Sequence, residues 1–166
     1  MTLSKKAQGI VAGIVVLWLL AIAGLVAATA MAQAGDNSTA STAGSLERNV
    51  KGVEGMGLNA TAFAFSDIYG EEYLAAGIIC AGETTESITQ NFGIPATELE
   101  ALELGPEGVP AGVSYVALAK QDGQVDYDKI DSAQVELCLS PMVGMFDSRS
   151  MLPLSKVEPG LWALLG

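Results

Sequence analysis

A stretch of 29 residues without a charge, Ala7 to Gly35, constrains this chain more than any other feature. Its apolar centre, Ile10 to Ala28, runs for 19 residues and is broken only by Gly13 and Gly24. As a helix it would rise about 28 Å at 1.5 Å per residue, close to the roughly 30 Å hydrocarbon core of a bilayer. Lys5 and Lys6 precede it and Asp36 follows. Lys and Arg stay on the cytoplasmic side of a membrane. The expected layout is a cytoplasmic N-terminus at 1–8, a transmembrane helix at 9–32, a flexible linker at 33–45 and an extracytoplasmic domain at 46–166. The expected location is the cell membrane, crossed once.

A cleaved signal peptide is the competing reading. Ala28-Thr29-Ala30, Ala30-Met31-Ala32 and Ala32-Gln33-Ala34 all fit a small-x-small cleavage pattern. Signal peptides carry an apolar region of about 7–15 residues, shorter than the centre found here, so an uncleaved anchor is expected. The same segment spaces small residues along one helical face: Gly9 and Gly13, then Ala21, Gly24 and Ala28. Such faces let helix backbones approach closely in lipid, and these five residues are the expected helix-packing surface.

The chain holds eight Lys and Arg against 19 Asp and Glu. Most of the excess lies beyond the uncharged stretch, so the outer part is strongly acidic. Nucleic acids and anionic lipid headgroups bind through Lys and Arg clusters, and neither is an expected partner. Cys80 and Cys138 are the only cysteines. Two cysteines in an oxidising compartment pair, and their wide spacing does not match a redox or metal motif. A structural disulfide is expected.

From Gln33 to Ser45 the sequence QAGDNSTASTAGS has a linker composition. Two glycosylation tripeptides, Asn37-Ser38-Thr39 and Asn59-Ala60-Thr61, are assigned no role. Gly52, Gly55 and Gly57 read as a turn-rich entry to the domain rather than a phosphate loop, because no strand precedes them. Ala62–Ile68, Tyr73–Cys80, Val113–Ala119, Gln124–Tyr127 and Gln134–Leu139 read as strands, with Asp122-Gly123 at a hairpin turn. Thr84 or Thr85 caps a helix over Glu86–Phe92 that Gly93 ends, and a second helix is expected over Ala96–Leu104. The expected fold is α+β, with one antiparallel sheet and one or two short helices. Beyond Ser140 little periodicity is visible.

The chain contains no histidine. Ser-His-Asp and Cys-His catalysis and imidazole ligation are thereby removed, and no nucleophile elbow or zincin motif occurs. Asp122, Asp126, Asp128 and Asp131 form the densest acidic group, but their spacing misses the calcium-loop pattern and Lys129 interrupts them. Met142, Met145 and Met151 lack the His or Cys that soft-metal sites recruit. No catalytic residue, metal or cofactor is expected. The apolar C-terminal segment is another matter. Met142, Met145, Met151, Leu161, Trp162, Leu164 and Leu165 either close the domain's own core or meet a partner, and the partner-docking role is the expectation carried forward.

The layout of MTLSKK, one helix from Gly9 to Ala32, the QAGDNSTASTAGS linker and an acidic domain of about 120 residues resembles the small accessory subunits of actinobacterial cytochrome bcc–oxidase respiratory supercomplexes. The resemblance implies a structural or assembly role on the outer face of a respiratory chain, with haems and copper held by neighbouring subunits. The expected function is that of a non-catalytic accessory subunit docking to an integral membrane complex. The alternative is a membrane-anchored extracytoplasmic module that binds a small ligand or envelope component. Replacing Gly13 and Gly24 together by Leu should leave membrane insertion intact, since apolarity rises, while bulky side chains hold partner helices apart. Lost co-purification of integral membrane partners is the expected readout; undiminished recovery would reduce the segment to a tether.

Overall fold

A computed structural model describes residues 42–140 and 142–165. The expected transmembrane segment and its packing residues Gly9, Gly13, Ala21, Gly24 and Ala28 lie outside these. Among the described residues no helix is long and apolar enough to cross a membrane.

The first helix, α1 (Ser45–Gly55), occupies the stretch expected to be a turn-rich entry. Gly52, inside it, costs a helix about 1 kcal/mol relative to alanine, and Gly55 is its last residue. It forms nonetheless, because Leu46, Val50 and Val53 make a buried stripe at helical spacing. Next come β1 (Ala60–Ala64), the single-turn α2 (Phe65–Tyr69) and β2 (Tyr73–Ile79). The first expected strand therefore ends early, and Phe65 begins a helical turn. Helix α3 (Thr85–Phe92) follows the sequence signals closely. The Thr84 hydroxyl accepts the Ser87 N–H at 3.2 Å, the Ser87 hydroxyl accepts the Thr84 N–H at 2.9 Å, and Gly93 closes the helix at φ 70°. The second expected helix is a 3₁₀ turn, Ala96–Ala101.

Strands β3 (Val113–Lys120) and β4 (Val125–Asp131) form the expected hairpin, with Gly123 at φ 88° in its turn. Only Val135–Glu136, β5, is strand within the run expected from Gln134 to Leu139. The segment without visible periodicity contains β6 (Phe146–Asp147), β7 (Met151–Glu158) and β8 (Leu161–Leu164).

The domain is α+β, but its strands form two sheets instead of one. The first has the order β1-β7-β8-β5 and the second β4-β3-β2-β6. Neighbours are antiparallel except β5 and β8, which pair in parallel through Val135–Trp162 and Glu136–Ala163. Leu152, Leu154, Trp162 and Leu164 of the first sheet meet Ile78, Val116, Leu118 and Ile130 of the second, and the α1 stripe joins them. The opposite face of the second sheet is covered by α3 and the 3₁₀ turn, with Ile79, Tyr115 and Ala117 packed against Ile88, Phe92 and Leu99. At Gly77 a Cβ would come within 2.7 Å of Met145 Sδ and 2.8 Å of the Phe92 ring. Glycine is what lets this cover approach so closely.

Cys80, just past β2, and Cys138, just past β5, are joined as a disulfide with Cα atoms 5.8 Å apart. The bridge links the two sheets and closes a loop with a sequence separation of 58. A loop of that size stabilises by roughly 4 kcal/mol in the chain-entropy account.

Trp162 and Leu164 correct the docking expectation. Their exposures are 0 % and 4 %, because alternation along β8 turns both toward the inter-sheet core. Trp162→Ala should cost about 3–5 kcal/mol of domain stability, measured as a lower urea midpoint. An unchanged midpoint would remove Trp162 from the core.

Candidate functional site

The register of β1 and β7 sorts their side chains into two rows. Thr61 and Phe63 pair with Leu154 and Leu152, and both leucines are buried. Ala60, Ala62 and Ala64 pair with Ser155, Pro153 and Met151, on the opposite side. Side chains alternate along a strand, so Met151 and Pro153 share the outer face; a bulge between Lys156 and Glu158 interrupts the alternation at Val157. The Leu165 N–H donates to Pro153 C=O at 2.9 Å, which sets Leu165 beside them. Met151 is 60 % exposed, Val157 53 %, Leu165 52 % and Leu58, just ahead of β1, 49 %. On the same side Ala64 and Ala163 are buried, so the exposed part of this face is a strip along β7 and the end of β8. It is the candidate contact surface.

Of the residues expected to dock, the face retains Met151 and Leu165. Met142 is half-buried against the inter-sheet core, Met145 packs into the cluster under α3, and Leu161 is half-buried. Sequence reading missed Pro153 and Val157. The usable signal was MLPLSKV, in which both alternate rows are apolar, so period two is masked. A proline also disfavours a strand inside a sheet. Pro153 is accommodated because its missing N–H falls beside Leu165, past the end of β8.

The acidic group is dispersed into structural tasks. Asp126 pairs with Lys120 at 2.7 Å and accepts the Tyr73 hydroxyl at 2.6 Å. Asp131 accepts the Ala133 N–H at 2.9 Å, and Asp122 accepts that of Gln124 at 3.1 Å. Among the described residues no three Cys, Asp or Glu side chains gather in a metal-holding arrangement.

Asp128 has the most demanding position, at 0 % exposure. Its carboxylate accepts the Gly44 N–H at 2.6 Å, the Leu46 N–H at 3.4 Å and the Tyr69 hydroxyl at 2.7 Å. Gly44 stands at the N-cap of α1 without a side chain to offer. Asp128, 84 residues later, supplies the capping oxygen instead. Thr42 adds a hydrogen bond from its hydroxyl to Tyr127 C=O at 2.9 Å. The start of the described domain is thus fastened to β4.

A separate cleft of about 560 Å³ is lined mainly by backbone and small residues, among them Gly82, Gly105, Pro106, Gly108 and Val109. Glu83 lies next to it in sequence. Its Oε1 accepts the Cys80 N–H at 3.4 Å, while its buried Oε2 has no hydrogen-bond partner among the described residues. Burial raises the Glu83 carboxyl pKa.

Burial likewise raises the Asp128 pKa, against the lowering effect of its three hydrogen bonds. The folded state therefore binds this proton more readily than the unfolded chain. The contribution of Asp128 to stability falls as pH rises from the ordinary aspartate range through the raised value. Urea unfolding across that window should show wild type losing stability relative to Asp128→Asn; a flat or rising difference would contradict the assigned burial cost.

Comparison with known proteins finds no family model, no curated protein and no solved structure that matches the chain.

Proposed function

We propose that this protein is a non-catalytic accessory subunit, anchored in a membrane by its uncharged N-terminal stretch, whose outer domain docks onto a larger membrane protein complex. The observation that carries the reading is the group of exposed apolar residues of the first sheet, Met151, Pro153 and Leu165, with Val157 exposed at the bulge of β7. Contiguous apolar patches on soluble surfaces mark contact sites. Burying such a side chain fully is worth about 1.5–3 kcal/mol, and a membrane anchor adds effective concentration. The surrounding chemistry agrees with a contact role. The chain has no histidine, and the clustered aspartates are occupied in capping and pairing. The layout makes a respiratory supercomplex the first partner to seek, with structural or assembly work as the contribution.

A ligand-binding reading is favoured by one observation, the glycine-lined cleft of about 560 Å³. The two readings separate in a mild-detergent pull-down of the tagged full-length protein. Docking predicts stoichiometric recovery with an integral membrane complex. Met151→Asp and Val157→Asp should each reduce that recovery at least about tenfold, since stranding a charge in an apolar contact costs more than 1.4 kcal/mol. The melting temperature should hold, because both side chains are largely exposed. Recovery that is unaffected by both variants would sink this assignment. A protein recovered alone whose melting shifts with added envelope fractions would favour the ligand-binding module.

A further inference from the structure

A second surface lies between α1 and β1. It is a shallow groove of about 510 Å³ lined by Arg48, Asn49, Gly52, Val53, Met56 and Phe63. Its floor is apolar, with Met56 69 % exposed. Strand β1 forms the edge of the first sheet. The Lys156 N–H donates to Asn59 C=O at 2.8 Å. In an antiparallel pair hydrogen-bonded positions alternate, so Thr61 and Phe63 face β7. Ala60 and Ala62 turn their N–H and C=O groups to the edge that no described strand pairs with. Native edges are guarded by proline, lysine or a bulge, and ATAFA has none of these.

We propose that this groove takes up an extended peptide from a partner protein, which adds to β1 as a further strand of the first sheet. The ladder of Ala60 and Ala62 supplies main-chain hydrogen bonds, and alternate side chains of the peptide descend onto Gly52, Val53, Met56 and Phe63. Arg48 specifies the remaining chemistry. It is the charged residue lining the groove, in a chain where acids outnumber bases 19 to eight. Its Nη1 donates to Ala43 C=O at 2.7 Å and its Nη2 to the Ser45 hydroxyl at 2.8 Å. Those bonds hold the guanidinium in place while other N–H donors stay available. The occupant is therefore an apolar extended segment that carries a carboxylate beside Arg48. A second copy of this chain is the poorer match, because the strand it would bring, Ala60–Ala64, contains no acidic residue. This site is distinct from the outer sheet face, so either can fail without the other.

Two substitutions isolate it. Ala62→Pro removes an N–H that points out of the sheet, a position where edge strands accept proline. Gly52→Leu fills the groove, and a Cβ there meets nothing within 4 Å. Both proteins should melt as wild type does. The probe is fluorescein-labelled Val-Thr-Val-Thr-Val-Glu, titrated by anisotropy against full-length protein in detergent micelles. Versions ending in Lys, or with Pro at the third residue, serve as controls. The Glu peptide should bind, each control should bind at least about tenfold more weakly, and each variant should lose at least about tenfold in affinity. Binding that ignores peptide sequence, binding kept by both variants, or no binding of any peptide overturns the proposal. A wild-type dimer that Ala62→Pro dissolves, without peptide binding, also overturns it and gives the edge to a second copy. If Ala62→Pro fails to fold, Gly52→Leu decides.

Discussion

Strands β2 and β3 are packed on both faces, and the other layers are arranged around them. Ile78, Val116 and Leu118 face the first sheet, while Ile79, Tyr115 and Ala117 face α3 and the 3₁₀ turn. A strand buried on both sides loses water from every side chain, which suits the β-branched and small residues found there. Gly77 sets how closely the helical cover can lie. The helices of one domain are limited in number, and here α3 and the 3₁₀ turn cover the second sheet while α1 packs into the inter-sheet core. On the outer face of the first sheet Met151 stays largely exposed. The proposed contact surface thus follows from how the layers are allotted.

Charge is handled differently inside and outside this framework. Lys120–Asp126, Lys129–Glu103 and Lys156–Glu54 are partly exposed ion pairs, a class that contributes little individually. Asp128 is another case, because an isolated buried carboxylate would be costly. Three hydrogen bonds offset much of that cost and tie α1, α2 and β4 to one another. The Cys80–Cys138 bridge does related work between the sheets, on chain entropy in place of polarity. Acidic groups that remain on the surface favour solubility and repel further copies. They leave Arg48, beside its groove, as a local reversal of sign.

Much of the second sheet was legible because its signals are local. Thr84 and Gly93 bracket α3, and Asp122-Gly123 marks the hairpin between two runs of strand-forming residues. The first sheet was legible only in part. In β7 the row Leu152–Leu154 and the row Met151–Pro153 are both apolar, so alternation carries no contrast. For α1 the local evidence pointed the wrong way, since Gly52 and Gly55 weaken a helix. What overrides them is the buried stripe of Leu46, Val50 and Val53, with a carboxylate 84 residues distant at the helix start.

By itself the sequence determined the acidic character of the chain, the absence of imidazole chemistry, the α+β class and the cysteines available for one bridge. Each depends on residue types or on neighbours within a few positions. Tertiary structure decided which apolar residues are core and which are surface. Trp162, Leu164 and Met151 belong to one apolar segment, yet the first two close the inter-sheet core and the third lies exposed. The physical reason is register. Strand pairing fixes which way each alternate side chain points, and pairing partners such as Ala64 and Met151 stand far apart in the chain.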